Sequence, residues 1–83
     1  MQLKLYALST CIWCRKTEKH LEEIKAAYEV VYVDKLEGGE RARIMAEVEK
    51  VNPARSFPTL VIDGERVIVG FKPDEIRKAL AKK

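Results

Sequence analysis

Soft metal ligands are scarce in this chain: two cysteines, Cys11 and Cys14, and one histidine, His20, in 83 residues. Structural zinc asks for four ligands, so one copy of the chain offers less than a site. An iron–sulfur cluster would have to borrow ligands from a second chain or from a bound thiol. Four glycines and three prolines, beside 47% hydrophobic and 35% charged residues, are too few for a disordered polypeptide. Apolar runs are short as well. None approaches the ~20 residues that cross a bilayer, and the amino terminus lacks a basic region followed by an apolar stretch and a small-residue cleavage pattern. The expected address is the cytoplasm, with no membrane contact. An excess of one charge is missing too. Sixteen Lys and Arg against thirteen Asp and Glu leave +3, with both signs interleaved along the chain, and no nucleic-acid partner is expected.

What is present is a spacing. Both cysteines fall in "CIWC", between a strand-like run, "LKLYAL", and a helix-like one, "RKTEKHLEEI". A lasting structural disulfide is uncommon in a reducing compartment, and closing so short a loop removes little unfolded-chain entropy. A structural staple and a metal half-site stay open as alternatives. The reading favoured by the spacing is a reversible redox dithiol.

The surroundings fit an alternating α/β chain. Residues 2–8 place Leu3, Leu5 and Ala7 on one side of a strand and Tyr6 and Leu8 on the other, the pattern of a central strand. Ser9 and Thr10 suit a turn, and Leu21, Ile24 and Tyr28 recur at helical spacing, which predicts a helix from about Cys11 to about Ala27. "YEVVYVD" (28–34) reads as a second, buried strand. Gly38 and Gly39 open a helix bearing Ile44, Met45, Val48 and Val51, stopped by Asn52 and Pro53. "TLVID" and "RVIVG" form a hairpin turning at Asp63-Gly64, and Lys72-Pro73-Asp74 opens a last helix with Ile76, Ala79 and Leu80 facing inward. The order is βαβαββα. Tyr6, Tyr28, Tyr32, Met45 and Phe71 fit packing, His20 an exposed helix position, and Glu18, Glu22 and Glu23 surface pairing with neighbouring lysines.

Strand, "CIWC", helix, and later "SFPT" before a hairpin resemble a glutaredoxin-like redoxin over nearly the whole chain. The resemblance implies one domain over residues 1–83, α/β and thioredoxin-like, with a mixed four-stranded sheet flanked by three helices. It also implies a dithiol–disulfide oxidoreductase that acts as a monomer with no bound prosthetic group, its redox carrier being the Cys11-Cys14 pair. A thiol at a helix amino terminus faces open N–H groups and the positive dipole end, both of which favour the thiolate. Cys11 would be the attacking sulfur and Cys14, one turn on, the resolving one. Arg15 and Lys16 stand where cations oppose the dipole, and their field would stabilise a sulfur anion. The matching X-Pro bond in the family is cis and lies against the dithiol, which gives Pro58 that role, with Phe57 and Thr59 flanking a substrate groove. Trp13, between the cysteines, joins the substrate-binding set as an exposed apolar contact.

The departures choose the branch. Thioredoxins carry "WCGPC" and an acid in the preceding strand, and "LKLYAL" has none. Glutathione-using glutaredoxins have a proline after the first cysteine, a cation three residues before it and a Gly-Gly-x-Asp-like stretch after the hairpin. Here Ile12 and Leu8 hold the first two places. The stretch after the hairpin, "VGFKPDEI", has Gly70, Phe71 and Lys72, similar to the "SGFRPD" of NrdH-type redoxins, and adds Gly70 and Phe71 to the substrate-binding set. "SFPT" differs from the "APVV"-like segment of that branch. The NrdH-like resemblance implies a flavin-dependent thioredoxin reductase as electron donor and a protein disulfide, such as that of ribonucleotide reductase, as acceptor. Glutathione as reductant is the alternative, and a non-catalytic module binding metal or protein through Cys11, Cys14 and Trp13 is a third.

Overall fold

Leu3, Leu5 and Ala7, alternating with Lys4 and Tyr6, form strand β1 (Leu3–Ala7), and the computed structural model, which describes residues 2–81, builds the sheet around it. Helix α1 (Ile12–Glu23) and strand β2 (Glu29–Tyr32) follow, then a 3-10 turn at Val33–Lys35 and helix α2 (Gly38–Val51). Strands β3 (Thr59–Ile62) and β4 (Arg66–Val69) and helix α3 (Pro73–Ala81) complete the order βαβαββα. The sheet runs β2-β1-β3-β4. β1 pairs parallel with β2 and antiparallel with β3, and β3 pairs antiparallel with β4, giving the mixed four-stranded sheet expected from the sequence.

The pleat of β1 divides the core. Leu3, Leu5 and Ala7 meet Cys14 and Leu21 of α1, Leu60, Ile62 and Ile68 of the hairpin, and Ile76 and Ala79 of α3. Tyr6, on the other face, meets Val33 and the α2 residues Ile44 and Val48. The hairpin turns at Asp63 and Gly64, both in the left-handed region with φ of 54° and 71°, as the Asp-Gly signal predicts. No helix among the described residues is long and apolar enough to cross a membrane.

Two expectations are corrected. α1 ends at Glu23 rather than near Ala27, because Lys25 adopts φ 58°. The Lys25 and Ala26 amides then donate back to the Glu22 and Leu21 carbonyls, which closes the helix in a Schellman motif. Strand β2 is a half-buried edge strand over Glu29–Tyr32 rather than a buried strand over 28–34, ending at Tyr32 where the 3-10 turn begins. Its tyrosines keep their rings on the core while their hydroxyls reach out to α1. Tyr32 donates to Glu18 at 2.9 Å and Tyr28 to Glu22 at 3.0 Å. Glu18 and Glu22 thus serve the tyrosines, and neither pairs with a lysine among the described residues. Burial and these carboxylates push the Tyr28 phenol well above its ordinary value, and the Glu18 contact pushes Tyr32 in the same direction.

Candidate active site

The end of β1 delivers Cys11 to the start of α1. Its backbone is extended at φ −86° and ψ 119°, and it is the N-cap residue. The sulfur takes the place of a capping oxygen, accepting the Cys14 N–H at 3.2 Å, while the Cys11 carbonyl accepts the Arg15 N–H at 3.1 Å. Ahead of it, the Cys11 amide donates to the Leu8 carbonyl at 3.1 Å. Ser9 donates through its amide and its hydroxyl to Asp34, which fixes the approach to the helix and holds that carboxyl below its usual range.

Cys14 lies three residues, a little under one turn, further on and is 0% exposed, against the half-buried Cys11. Burial pushes its thiol up to about 12, reinforced by donation to the Cys11 sulfur and by the negative charges of Cys11 and Glu18, and opposed by the Leu8 amide. One sulfur therefore lies partly open to solvent, accepting the Cys14 amide, and the other is held protonated beneath it.

Beside this turn a groove of about 320 Å³ is lined by Trp13, Phe57, Pro58, Gly70 and Phe71. The Phe57-Pro58 bond is cis, and the Pro58 carbonyl accepts the Gly70 amide at 2.9 Å, which joins the groove's two walls. Gly70 has φ 87°, a conformation open to glycine, and the chain there delivers Phe71 to Trp13 with ring centroids 6.2 Å apart and planes 26° apart. Trp13 is 53% exposed, as its place between the cysteines suggests.

Several predicted residues stand elsewhere. Thr59 is fully buried and does not face the groove. Its hydroxyl donates to the Ser56 carbonyl at 2.7 Å and accepts from the Asn52 side-chain amide at 3.1 Å, so it braces the strand behind the groove. Asn52, read in the sequence only as a helix stop, is a buried brace that donates to the Ser56 carbonyl as well. Arg15 and Lys16 turn to other groups than the Cys11 sulfur: the guanidinium to the Ser9 carbonyl at 3.4 Å, the ammonium over the Trp13 ring at 4.7 Å. His20 is half-buried rather than exposed. Its ring meets the edge of Phe71 at 6.3 Å, and its Nε2 is buried without a hydrogen-bond partner. Phe71, read both as packing and as a groove residue, is in the groove. A larger cavity of about 410 Å³ between β2 and α2 has no residue of the Cys11–Cys14 turn in its lining, whereas the smaller groove is walled by Trp13, between the two cysteines.

Among the described residues no cluster of three or more His, Cys, Asp or Glu is arranged to hold a metal ion.

Comparison with known proteins agrees with this geometry. The glutaredoxin family model matches residues 3–67. The chain is 48% identical to a glutaredoxin from Methanosarcina mazei Go1, with TM-score 0.90 over 95% of this chain and 77% of that one. It is 44% identical to a methanoredoxin from Methanosarcina acetivorans, with TM-score 0.92 over 95% and 83%. NrdH-redoxin from Escherichia coli, a glutaredoxin-like protein described by its thioredoxin-like activity profile, is 26% identical, with TM-score 0.73 over 94% and 93%.

Proposed function

The chain belongs to the glutaredoxin family, and from that premise we propose that it reduces protein disulfides through Cys11 and Cys14, recharged by a dithiol donor of the thioredoxin-reductase type. The observation that carries the reading is the cap: an accessible sulfur that accepts the Cys14 amide, with a second, buried thiol beneath it.

The Cys11 thiolate attacks one sulfur of the substrate disulfide, a Cys11–substrate disulfide forms, and the other substrate sulfur leaves as a thiolate. Cys14 then loses its proton and attacks the Cys11 sulfur. The Cys11-Cys14 disulfide forms and the second substrate sulfur departs. Two electrons have passed from the dithiol to the substrate, whose two thiolates take up protons from solvent. Mixed-disulfide formation also removes the charge and the acceptor at Cys11, two of the causes that hold Cys14 protonated. Burial remains, and the Leu8 amide is there to receive the Cys14 thiolate. Cys14 is thereby released for attack at the step that needs it.

The choice of donor rests on what surrounds the groove. Glutathione is held in the family by a cation before the first cysteine and by a Gly-rich opening of the last helix, and Leu8 stands at the first place. At the second, the Phe71 ring lies against Trp13 and Lys72 is paired with Glu75 at 3.8 Å. The thioredoxin-like activity profile of the similar NrdH-redoxin from Escherichia coli supports the same choice.

Turnover of a protein disulfide is measured with NADPH and thioredoxin reductase, and separately with NADPH, glutathione and glutathione reductase. The first system is expected to be clearly faster, and a faster glutathione system would overturn the donor assignment. Cys14→Ser should trap a mixed disulfide and Cys11→Ser should abolish turnover. A correctly folded protein that reduces no disulfide but binds zinc or iron stoichiometrically would make it a non-catalytic thiol module.

A further inference from the structure

Arg15 and Lys16 occupy the first turn of α1, where a cation opposes the helix dipole and costs stability. The fold engages their charge only weakly. The Arg15 contact with the Ser9 carbonyl is long, Lys16 lies over an indole, and neither has a carboxylate partner among the described residues. The acids nearby are engaged already: Asp34 with Ser9, and Glu18, one turn along α1, with Tyr28 and Tyr32. Next to the two cations the surface is open and apolar. Ile12 is 63% exposed and Trp13 53%, and Trp13 forms one wall of the groove.

We propose that the protein selects disulfides carried on acidic peptide segments, in which a large apolar residue near the cysteine enters the groove of Trp13, Phe57 and Phe71 and a neighbouring carboxylate meets Arg15 and Lys16. This rests on the oxidoreductase reading above and names its substrate class. The carboxylate supplies what the fold withholds from the two cations. Arg15 offers a planar fork of donors, and Lys16 a point charge already fixed beside the apolar contact. A basic segment would bring like charges together against the same turn, which penalises wrong partners and slows encounter. The sulfur chemistry is unchanged, with two electrons passing from Cys11 and Cys14 to the disulfide of the segment.

The test is a single turnover of pre-reduced protein with three short synthetic peptides. Each is closed by an internal disulfide and carries the same leucine, flanked by glutamate, glutamine or lysine. Oxidation of the protein is followed by mass spectrometry, and each rate is divided by that of the same peptide with dithiothreitol, which removes intrinsic differences in disulfide reactivity. The glutamate peptide is expected to react roughly tenfold faster than the lysine peptide at low ionic strength, with the ratio approaching one in concentrated salt. Substituting Arg15→Gln together with Lys16→Gln should collapse the ratio. A purely structural role for the two residues would slow all three peptides alike and leave the ratio standing, and that result overturns the proposal. So does a ratio near one in the native protein, or a preference for lysine, while the glutamine peptide still reacts; the oxidoreductase reading then survives alone. Failure of all three peptides overturns both.

Discussion

The side-chain amide of Asn52, at the end of α2, donates to the hydroxyl of Thr59, the first residue of β3, at 3.1 Å inside the protein. The same amide reaches the Ser56 carbonyl at 3.0 Å, and the Thr59 hydroxyl reaches it at 2.7 Å. Three polar groups thus close over the loop that presents Phe57 and Pro58, and each leaves the others unpaired if it is removed. Asn52→Ala should destabilise the protein by about 2–3 kcal/mol and Thr59→Val by about 1–3 kcal/mol, since each leaves buried donors or acceptors without partners. Urea denaturation measures both. A change under about 0.5 kcal/mol, the size of an ordinary surface substitution, would remove the brace from the account of the groove.

The two thiols should differ sharply towards iodoacetamide. Cys11 is expected to be modified first near neutral pH, because its sulfur is accessible at the helix start, whereas Cys14 is fully enclosed and held protonated. Peptide mapping after partial alkylation reads the order directly. Equal labelling of the two cysteines in folded protein would contradict the site geometry.

Stability should decline in alkali. The folded protein holds the Cys14 proton more tightly than the unfolded chain does, so between the ordinary thiol value of 9.0 and about 12 the unfolded chain ionises first and gains on the folded one. Tyr6, Tyr28 and Tyr32, all raised above 10.0, act in the same direction higher in the range. Urea midpoints should be flat from neutrality to about pH 9 and fall beyond it. Cys14→Ser should remove the earlier part of the fall. A midpoint that holds steady to pH 11 would show that these groups do not titrate differently on folding.

Lys25 offers a stabilising change. It sits at φ 58°, a region that costs a side chain about 1–2 kcal/mol and glycine little, so Lys25→Gly should raise stability by about 0.5–1 kcal/mol after glycine's own entropy is subtracted. Calorimetry would register the gain as a higher Tm, and a lower Tm would mean that the lysine side chain contributes more than its backbone strain.

This residue also marks where the sequence was hard to read. The alternation of Leu3, Leu5 and Ala7 against Tyr6 and Leu8 was enough to set β1 at the centre, since both sides of a strand are apolar only when both are covered. In β2 an apolar run suggested burial, yet Val30, Val31 and Tyr32 are only half-buried at an edge, with tyrosine hydroxyls bound to Glu18. The end of α1 carried no glycine to signal a left-handed residue, so apolar spacing ran past it. At the site, Cys11, Cys14 and Trp13 were legible from four consecutive letters, because spacing along one helix fixes them. The inward turn of Thr59, the Asn52 brace and the contact of His20 with Phe71 depend on residues brought from other elements. No local pattern announces them.

Trp13 is the chain's one tryptophan, lying between the two cysteines in sequence, its indole under the Lys16 ammonium and against Phe71. Whatever alters the dithiol alters the surroundings of that ring and of no other indole. The protein's ultraviolet emission is therefore a built-in gauge of the proposed active site: reduction, oxidation and the arrival of a partner are each expected to shift its intensity without any added label, and Phe71→Ala should change the baseline while leaving the gauge sensitive to the sulfurs.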